Sequence, residues 1–433
     1  MLQPDHAFMS DFMPNFKLFV RSRIAMPLRK VMVGRFWMGL VVLCVVLSSC
    51  GPRPTSPFAS RTVFEGMFVS TPEGVGMRDS LPAKLDSMLH AAIADSVAPG
   101  AALAVGRHGR LVHLKGYGHT DWNHAAPAVT ARTMFDLASL TKVVATTTAA
   151  MILEEEGLLD LRKPVAEFLP EFGTPDKGAI TVRSLLTHRS GMATAMLHRE
   201  AKGRDQYLEK IIAHSMESEP EARTRYSDFN MIALQLVIER ISGRPLDKFL
   251  QARVFGPLGM HDTVFNPDAA VLAQIAPTEI QEWRGGLVHG EVHDENAWAM
   301  GGVAGHAGLF SSARDLSILA QMLLGGGEYR GVRILKPETV ARWSARQGPD
   351  ASRALGWDTP SEGSSAGEHF SAWSFGHTGF TGTSMWMDPR TDLFVILLTN
   401  RVNPTRTNLK VGPLRRNVAD AVQAAVLDTP LFD

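Results

Sequence analysis

The sequence predicts a mixed α/β (α+β) domain: an antiparallel sheet built from both ends of the chain, flanked by N- and C-terminal helices, with an inserted all-helical region. Three observations carry that expectation. Short β-prone runs lie at 101–105, 111–114, 382–387 and 393–398, close to the two ends of the body. From about 139 to 344 the apolar residues recur mostly at helical spacing. Helical stretches at 81–97 and 414–427 bracket the strands. Strands at both ends around a helical block suggest one sheet with an insertion.

The first fifty residues stand apart. Lys17, Arg21, Arg23, Arg29, Lys30 and Arg35 form a positive segment without an acid among them. An apolar run follows at 36–47 and ends in Leu47-Ser48-Ser49-Cys50-Gly51. It falls short of the roughly 20 residues that span a bilayer and has the length and flanks of a secretory signal. The long positive segment points to Met26 or Met32 as the true start. The ending resembles a bacterial lipobox, with Cys50 as the lipidated first residue of the mature chain. This implies export and a membrane anchor on the cell envelope, at an outer membrane in a two-membrane bacterium. The chain has two cysteines. With Cys44 in the signal and Cys50 lipidated, the body can form neither a disulfide framework nor a cysteine metal site. Segment 1–50 is therefore expected to be a lipoprotein signal. Segment 51–80, rich in Pro, Ser, Thr and Gly, is expected to be a tether. Segment 81–433 is expected to be the folded domain, with its sheet part at about 81–138 and 345–433.

Within the body, 81–97 carries Leu85, Met88, Leu89, Ala92 and Ile93 at helical spacing, and Pro99-Gly100 stops it. The runs 101–105 and 111–114, joined by Arg107-His108-Gly109-Arg110, read as a hairpin. Short helices are expected at 181–188 and 206–214, a stronger one at 228–242 closed by Gly243, and another at 245–254. Ser312 through Asp315 resembles a capping box opening a helix to Leu324. The glycine-rich stretch 285–307 reads as a loop over a site. Runs 382–387 and 393–398 are joined by a turn containing Pro389.

Chemistry concentrates at 134–142, MFDLASLTK. Its Ser139-Leu140-Thr141-Lys142 is the one Ser-x-x-Lys in the chain, and it opens an apolar helix at 143–153. Residues three apart share a helix face, so the lysine returns to the serine hydroxyl. The helix start also favours negative charge beside Ser139. A serine needs a neighbouring base to become a nucleophile. A lysine serves as that base only when its surroundings hold it neutral.

Two further motifs follow in order. Tyr226-Ser227-Asp228 precedes the helix at 228, and His377-Thr378-Gly379 precedes the strand run at 382. Ser-x-x-Lys, then Tyr-x-Asn, then Lys-Thr-Gly is the order in penicillin-recognising serine enzymes. From about 81 to 427 the chain resembles the class C β-lactamase and penicillin-binding family. LLTHRSGM, YSDFN, PLGMHDTVFNP, VHDENAWAMGGVAGHAGLFS and LTNRVNPTR resemble bacterial muropeptide-processing hydrolases found near or fused to N-acetylglucosaminidases. The resemblance implies a β-lactamase/transpeptidase-like fold and a serine hydrolase acting on an amide of peptidoglycan-derived muropeptides, of amidase or D,D-peptidase type. It implies that Ser139 attacks, that Lys142 and Tyr226 move its proton, and that the N–H groups of Ser139 and Phe380 hold the oxyanion. It implies no metal or cofactor. Thr378 and Gly379 fall on the substrate-binding strand. Asn403 and Arg406, in Asn-Pro-Thr-Arg, resemble a pair that meets a substrate carboxylate.

Two positions depart from the family pattern. Asp228 stands where many relatives have Asn, and a carboxylate there keeps Lys142 protonated, shifting the base role toward Tyr226. His377 replaces a lysine, removing a fixed charge for a β-lactam carboxylate. β-Lactamase and carboxylesterase activities are the alternatives within the same fold, and a non-catalytic binder of penicillin or wall fragments is an alternative of another class.

Net charge is zero and the body has no basic cluster, which excludes a nucleic-acid surface. His293, Asp294, Glu295 and His306 match no standard metal spacing, so loop structure or substrate contact is expected of them, His306 included. His188 is expected to be a buried structural histidine. The protein is expected to be a monomer.

Overall fold

The computed structural model describes residues 63–348, 351–428 and 431. The expected signal, the lipid site at Cys50 and most of the expected tether lie outside them. Among the described residues no helix is long and apolar enough to cross a membrane.

The central sheet has five strands in the order Phe375–Thr378, Ser384–Asp388, Leu393–Thr399, Gly100–Arg107, Arg110–Gly118, every pair antiparallel. The two ends of the chain meet where Leu393–Thr399 pairs with Gly100–Arg107. Both of these inner strands are buried along their whole length, because both faces of the sheet are covered. Side chains alternate across a strand. Leu103, Val105, Val395 and Leu397 therefore pack on one face with Leu81, Leu85 and Leu89 of the helix Leu81–Ala94 and Val418 and Val422 of the helix Val411–Gln423. Ala102, Ala104, Phe394, Ile396 and Leu398 face the other way, into the core of the inserted region. The expected hairpin forms, and its two central turn residues, His108 and Gly109, have φ of 52° and 66°, the signs a type I′ turn requires.

The insertion is less purely helical than its spacing suggests. Phe135–Asp136, Leu309–Ser311 and Val264–Phe265 form a small antiparallel sheet. Runs of two or three residues are too short to show a period, and this sheet lies directly before Ser139. The glycine-rich loop contains a short helix, Glu295–Ala299, capped by the Asp294 side chain on the Ala297 N–H. The helix Asp228–Ser242 has the expected bounds, with Gly243 at φ 64° closing it.

Residues 63–80, expected as part of the tether, are folded onto the body. Val63–Phe64 pairs with Met67–Phe68, Met67 and Met77 are fully buried, and the Ser70 N–H donates to the Leu111 carbonyl. Their apolar side chains outweigh the Pro, Ser and Gly content on which the tether reading rested.

Candidate active site

The nucleophile turn begins with a strained residue. Ala138 has φ +46°, a conformation L-residues seldom adopt and that surrounding structure must impose. Asp136 imposes it: one carboxylate oxygen accepts from the Ala138 N–H (2.8 Å) and the other from the His293 N–H (2.6 Å). Burial pushes the Asp136 carboxyl above its ordinary pKa, and the two N–H groups pull it back. Residues Ala138–Leu140 form a 3₁₀ turn, Lys142–Thr147 a π-helix, and Thr148–Glu155 an ordinary α-helix. The expected continuous helix starts irregularly, and one threonine hydroxyl takes a carbonyl of its first turn. Thr148 Oγ1 donates to the Val143 carbonyl at 3.0 Å, a competition that distorts helices.

Lys142 is fully buried, and its Nζ has three partners: Ser139 Oγ at 2.8 Å, the His306 carbonyl at 3.0 Å and Asp228 Oδ1 at 2.7 Å. The Tyr226 ring centroid lies 4.9 Å away. Burial disfavours the ammonium, but Asp228 first, and Tyr226 after it, outweigh burial and hold the pKa above the ordinary lysine value. An ammonium has three protons and no lone pair, and here each proton has an acceptor. Ser139 Oγ is therefore the acceptor from Lys142, and its own proton must leave toward another base. Tyr226, about 40% exposed, stands beside the lysine with its ring.

His306 is buried, its Nε2 2.9 Å from Asp294 Oδ1. Burial works against the Asp294 carboxylate, but His306, the Ala297 N–H and Lys142 together hold its pKa well below the usual range. Asp228, Asp294 and His306 bring their ligand atoms within 4.8 Å of one another. Of the three side chains, Asp228 bonds to the Lys142 ammonium and Asp294 is influenced by its charge.

His188 packs against Tyr226 (4.7 Å between centroids), and its Nδ1 faces the Ser227 N–H at 3.2 Å. Burial, with Arg353 and Lys142 nearby, depresses its pKa well below the ordinary value. The ring is thus a neutral brace under Tyr226.

His377 lies on the sheet-edge strand Phe375–Thr378, 5.9 Å from the Tyr226 ring. Burial first, and Arg353 and Lys142 next, keep it neutral. Thr378 ends that strand. Gly379 follows, and a Cβ there would strike Thr383 Oγ1 and the Leu137 carbonyl, so only glycine lets the strand end approach the serine turn. Thr383 Oγ1 also donates to the Leu137 carbonyl at 3.0 Å. Phe380 is half exposed, and its N–H has no acceptor among the described residues. Arg401 lies over the Phe380 ring and donates to its carbonyl at 2.8 Å. Arg415 donates to the carbonyls of Gly379 (2.6 Å) and Thr383 (2.8 Å), and burial with Arg401 nearby lowers its pKa to about 10.

Asn403 and Arg406 require a correction. Arg406 donates through Nε to Glu279 at 2.6 Å and through Nη2 to Glu295 at 2.6 Å. The buried Asn403 donates to Asp121 at 3.1 Å and accepts from Trp122 through its carbonyl at 2.9 Å. Both hydrogen-bond to this chain's own groups. Sequence reasoning missed Arg353, whose guanidinium carbon lies 5.2 Å from the Tyr226 ring centroid. No local pattern marks it. It also missed Asp136, which lies three residues before Ser139, and the pairing of Asp294 with His306.

With the geometry in place, likenesses to known proteins become informative. The sequence profile of the family described as Beta-lactamase matches residues 85–420. A Salmonella agona protein described as "Putative D-alanyl-D-alanine carboxypeptidase" is 32% identical over 381 residues, covering 79% of this chain and 88% of its own. Among solved structures, EstCE1, a hydrolase with promiscuous acyltransferase activity, superposes with TM-score 0.66 at 23% identity, over 79% of this chain and 98% of its own. A penicillin-binding protein homologue from Caulobacter crescentus gives 0.65 at 19% identity, over 81% and 98%. These last two likenesses speak to the fold alone.

Proposed function

The chain belongs to the β-lactamase family of serine hydrolases, and from that premise we propose that it is a D,D-carboxypeptidase acting on peptidoglycan-derived peptides through an acyl-enzyme on Ser139. The observation that carries the reading is the fully bonded Lys142 ammonium with one proton on Ser139 Oγ. Tyr226, as the phenolate beside the Lys142 ammonium, takes the serine proton as Oγ attacks the scissile carbonyl, and Lys142 offsets the charge that develops on Oγ. The N–H groups of Ser139 and Phe380 receive the carbonyl oxygen as it becomes an oxyanion. The proton on the Tyr226 phenol then passes to the leaving amine, the C–N bond breaks, and an ester on Ser139 and the phenolate remain. Water gives a proton to that phenolate as it attacks the ester, and the phenol returns the proton to Ser139 Oγ as the acyl–oxygen bond breaks.

The substrate class is supported by the printed name of the Salmonella relative and by a neutral His377 where a lysine would serve β-lactams. Wild type incubated with a peptide ending in D-Ala-D-Ala is expected to release D-alanine, seen by mass spectrometry, and to turn over a chromogenic cephalosporin much more slowly. Fast cephalosporin hydrolysis with no release of D-alanine would reverse the assignment. We further propose export and lipid anchoring at Cys50, on the sequence alone. Cys50→Ala is expected to leave the membrane fraction, and retention there would count against the anchor.

A further inference from the structure

We propose that Trp283 and Trp298 form a platform beside the cleft that binds the sugar of a glycan-bearing peptidoglycan fragment. The inference deepens the carboxypeptidase reading and rests on it for the peptidoglycan class of the ligand.

It starts from two large rings that are exposed and yet fixed. Trp283 and Trp298 are 44% and 36% exposed. Their centroids lie 5.5 Å apart and their planes are nearly perpendicular, at 87°, so the pair makes a corner. Arg284 props that corner from within. Its guanidinium carbon is 5.1 Å from the Trp298 centroid and 5.8 Å from that of Trp283, where a planar cation is attracted to the π systems. The Arg284 side chain is only 3% exposed, so the cation lies on the buried side of the rings. It is itself fixed, donating to the Val292 carbonyl at 2.7 Å and to Glu291 at 2.7 Å. His198 packs on Trp283 with centroids 5.1 Å apart. Rings held in this way lose little freedom when a ligand settles on them.

The platform is continuous with the candidate active site along two walls. Trp298 belongs to the helix Glu295–Ala299, and its N–H donates to the carbonyl of the cap residue Asp294 at 2.9 Å. Residues four apart share a helix side, and Asp294 is the carboxylate paired with His306 near Lys142. The second wall is the loop from Thr194 to His198. Thr194 Oγ1 accepts from the Asp228 N–H at 2.7 Å, and His198 is the residue against Trp283. Asn296 ties the walls together, accepting from the Leu197 N–H at 2.8 Å and donating to the Ala195 carbonyl at 2.9 Å.

The chemistry of the rings selects the ligand. An indole has a flat apolar face and one donor, and neither indole N–H has an acceptor among the described residues. An alkyl chain uses the faces and leaves both donors idle. A pyranose uses both, setting its C–H face on a ring and its oxygens before the N–H groups. A sugar joined through a short peptide to the scissile amide lies at most about 3.3–3.6 Å per intervening residue away. A surface that begins at Asp228 and Asp294 and leads away from Ser139 is where such a sugar falls. The arrangement therefore favours fragments that still carry their glycan over free peptides.

Full-length Ser139→Ala separates binding from turnover. Calorimetry compares a pentapeptide ending in D-Ala-D-Ala, the same peptide carrying an N-acetylglucosaminyl-N-acetylmuramyl disaccharide on its N-terminus, and the same peptide carrying a decanoyl chain there. The disaccharide form is expected to bind about ten- to thirtyfold more tightly than the free peptide, the worth of two net hydrogen bonds. Adding Trp283→Ala or Trp298→Ala is expected to bring that ratio toward one. Trp283→Phe, which keeps a flat face but not the N–H, is expected to retain only part of the preference and serves if the alanine variants misfold. Equal binding of free and disaccharide-bearing peptide, an equal gain from the decanoyl chain, or an undiminished preference in a folded variant of either tryptophan would overturn the inference. A glycan preference that depends on Trp283, in a wild type that releases no D-alanine, would instead overturn the carboxypeptidase reading and leave this one standing.

Discussion

Two cations in this molecule each answer to two carboxylates, and consecutive residues of one loop supply an acid to each. Lys142 is bonded to Asp228 and feels the field of Asp294. Arg406 is bonded to Glu279 and Glu295. The environments look alike in charge, yet one cluster touches the proposed nucleophile and the other does not. The difference is where the remaining donor goes. Lys142 spends one of its three protons on the Ser139 hydroxyl. Arg406 bonds to Glu279 and Glu295 and so joins the loop of Glu295 to the segment of Glu279. A charged residue in a suggestive motif is thus a ligand-binding residue only if its hydrogen bonds are not already satisfied.

The sharpest way to break this comparison is to remove each cation in turn. Lys142→Met is expected to lower turnover by about 10²–10³-fold, the range for losing one electrostatic stabiliser of developing charge, with a small change in stability because Asp228 keeps solvent contact. Arg406→Met is expected to do the reverse. Glu295 is left buried without its partner and Glu279 keeps only His293, at about 2–3 kcal/mol, below the usual figure for a broken buried pair because Arg406 is itself a third exposed. Turnover per folded molecule should stay within about tenfold of wild type. Chemical denaturation and steady-state kinetics on both variants decide it, and a folded Arg406→Met with a catalytic defect as large as that of Lys142→Met would erase the distinction.

A second, smaller effect concerns the charge on the lysine. Burial alone disfavours the ammonium, and Asp228 is the largest influence opposing it. Asp228→Asn should therefore lower the Lys142 pKa from its raised value. The basic limb of the kcat/KM profile is expected to move to lower pH than in the parent. An unchanged profile would mean that Asp228 does not govern the lysine.

The smallest effect tests the frame around the serine. Asp136→Asn replaces one acceptor by a donor facing either the Ala138 or the His293 N–H, at about 1–3 kcal/mol. The melting temperature should drop, with a modest loss of turnover as Ala138 relaxes. An unchanged melting temperature would show that the strained turn needs no such pin.

The same contrast explains what was legible in the sequence. The hairpin at 100–118 and the helix Asp228–Ser242 could be read because turn chemistry and period act locally. Ser139, Lys142 and Tyr226 could be read because each sits in a short motif. The effect of Asp228 on the lysine charge followed from residue chemistry alone. The small sheet containing Phe135–Asp136 could not be read, since its strands exist only through pairing with Leu309–Ser311. The partners of Asn403 and Arg406 could not be read, because a motif names residues and not the groups attached to them. Arg353 was missed because its contacts with Tyr226 and His377 exist only in the tertiary structure. The packing of 63–80 was hidden under a linker-like composition.

The central claim is that Ser139 becomes covalently bonded to the acyl group during turnover. Quenching wild type in acid during steady-state hydrolysis of a D-Ala-D-Ala thioester, then mapping the digest by mass spectrometry, tests it directly. The account predicts an acyl mass on the peptide containing Ser139, lost in Ser139→Ala together with turnover. An adduct on another residue, or full turnover by Ser139→Ala, would contradict it.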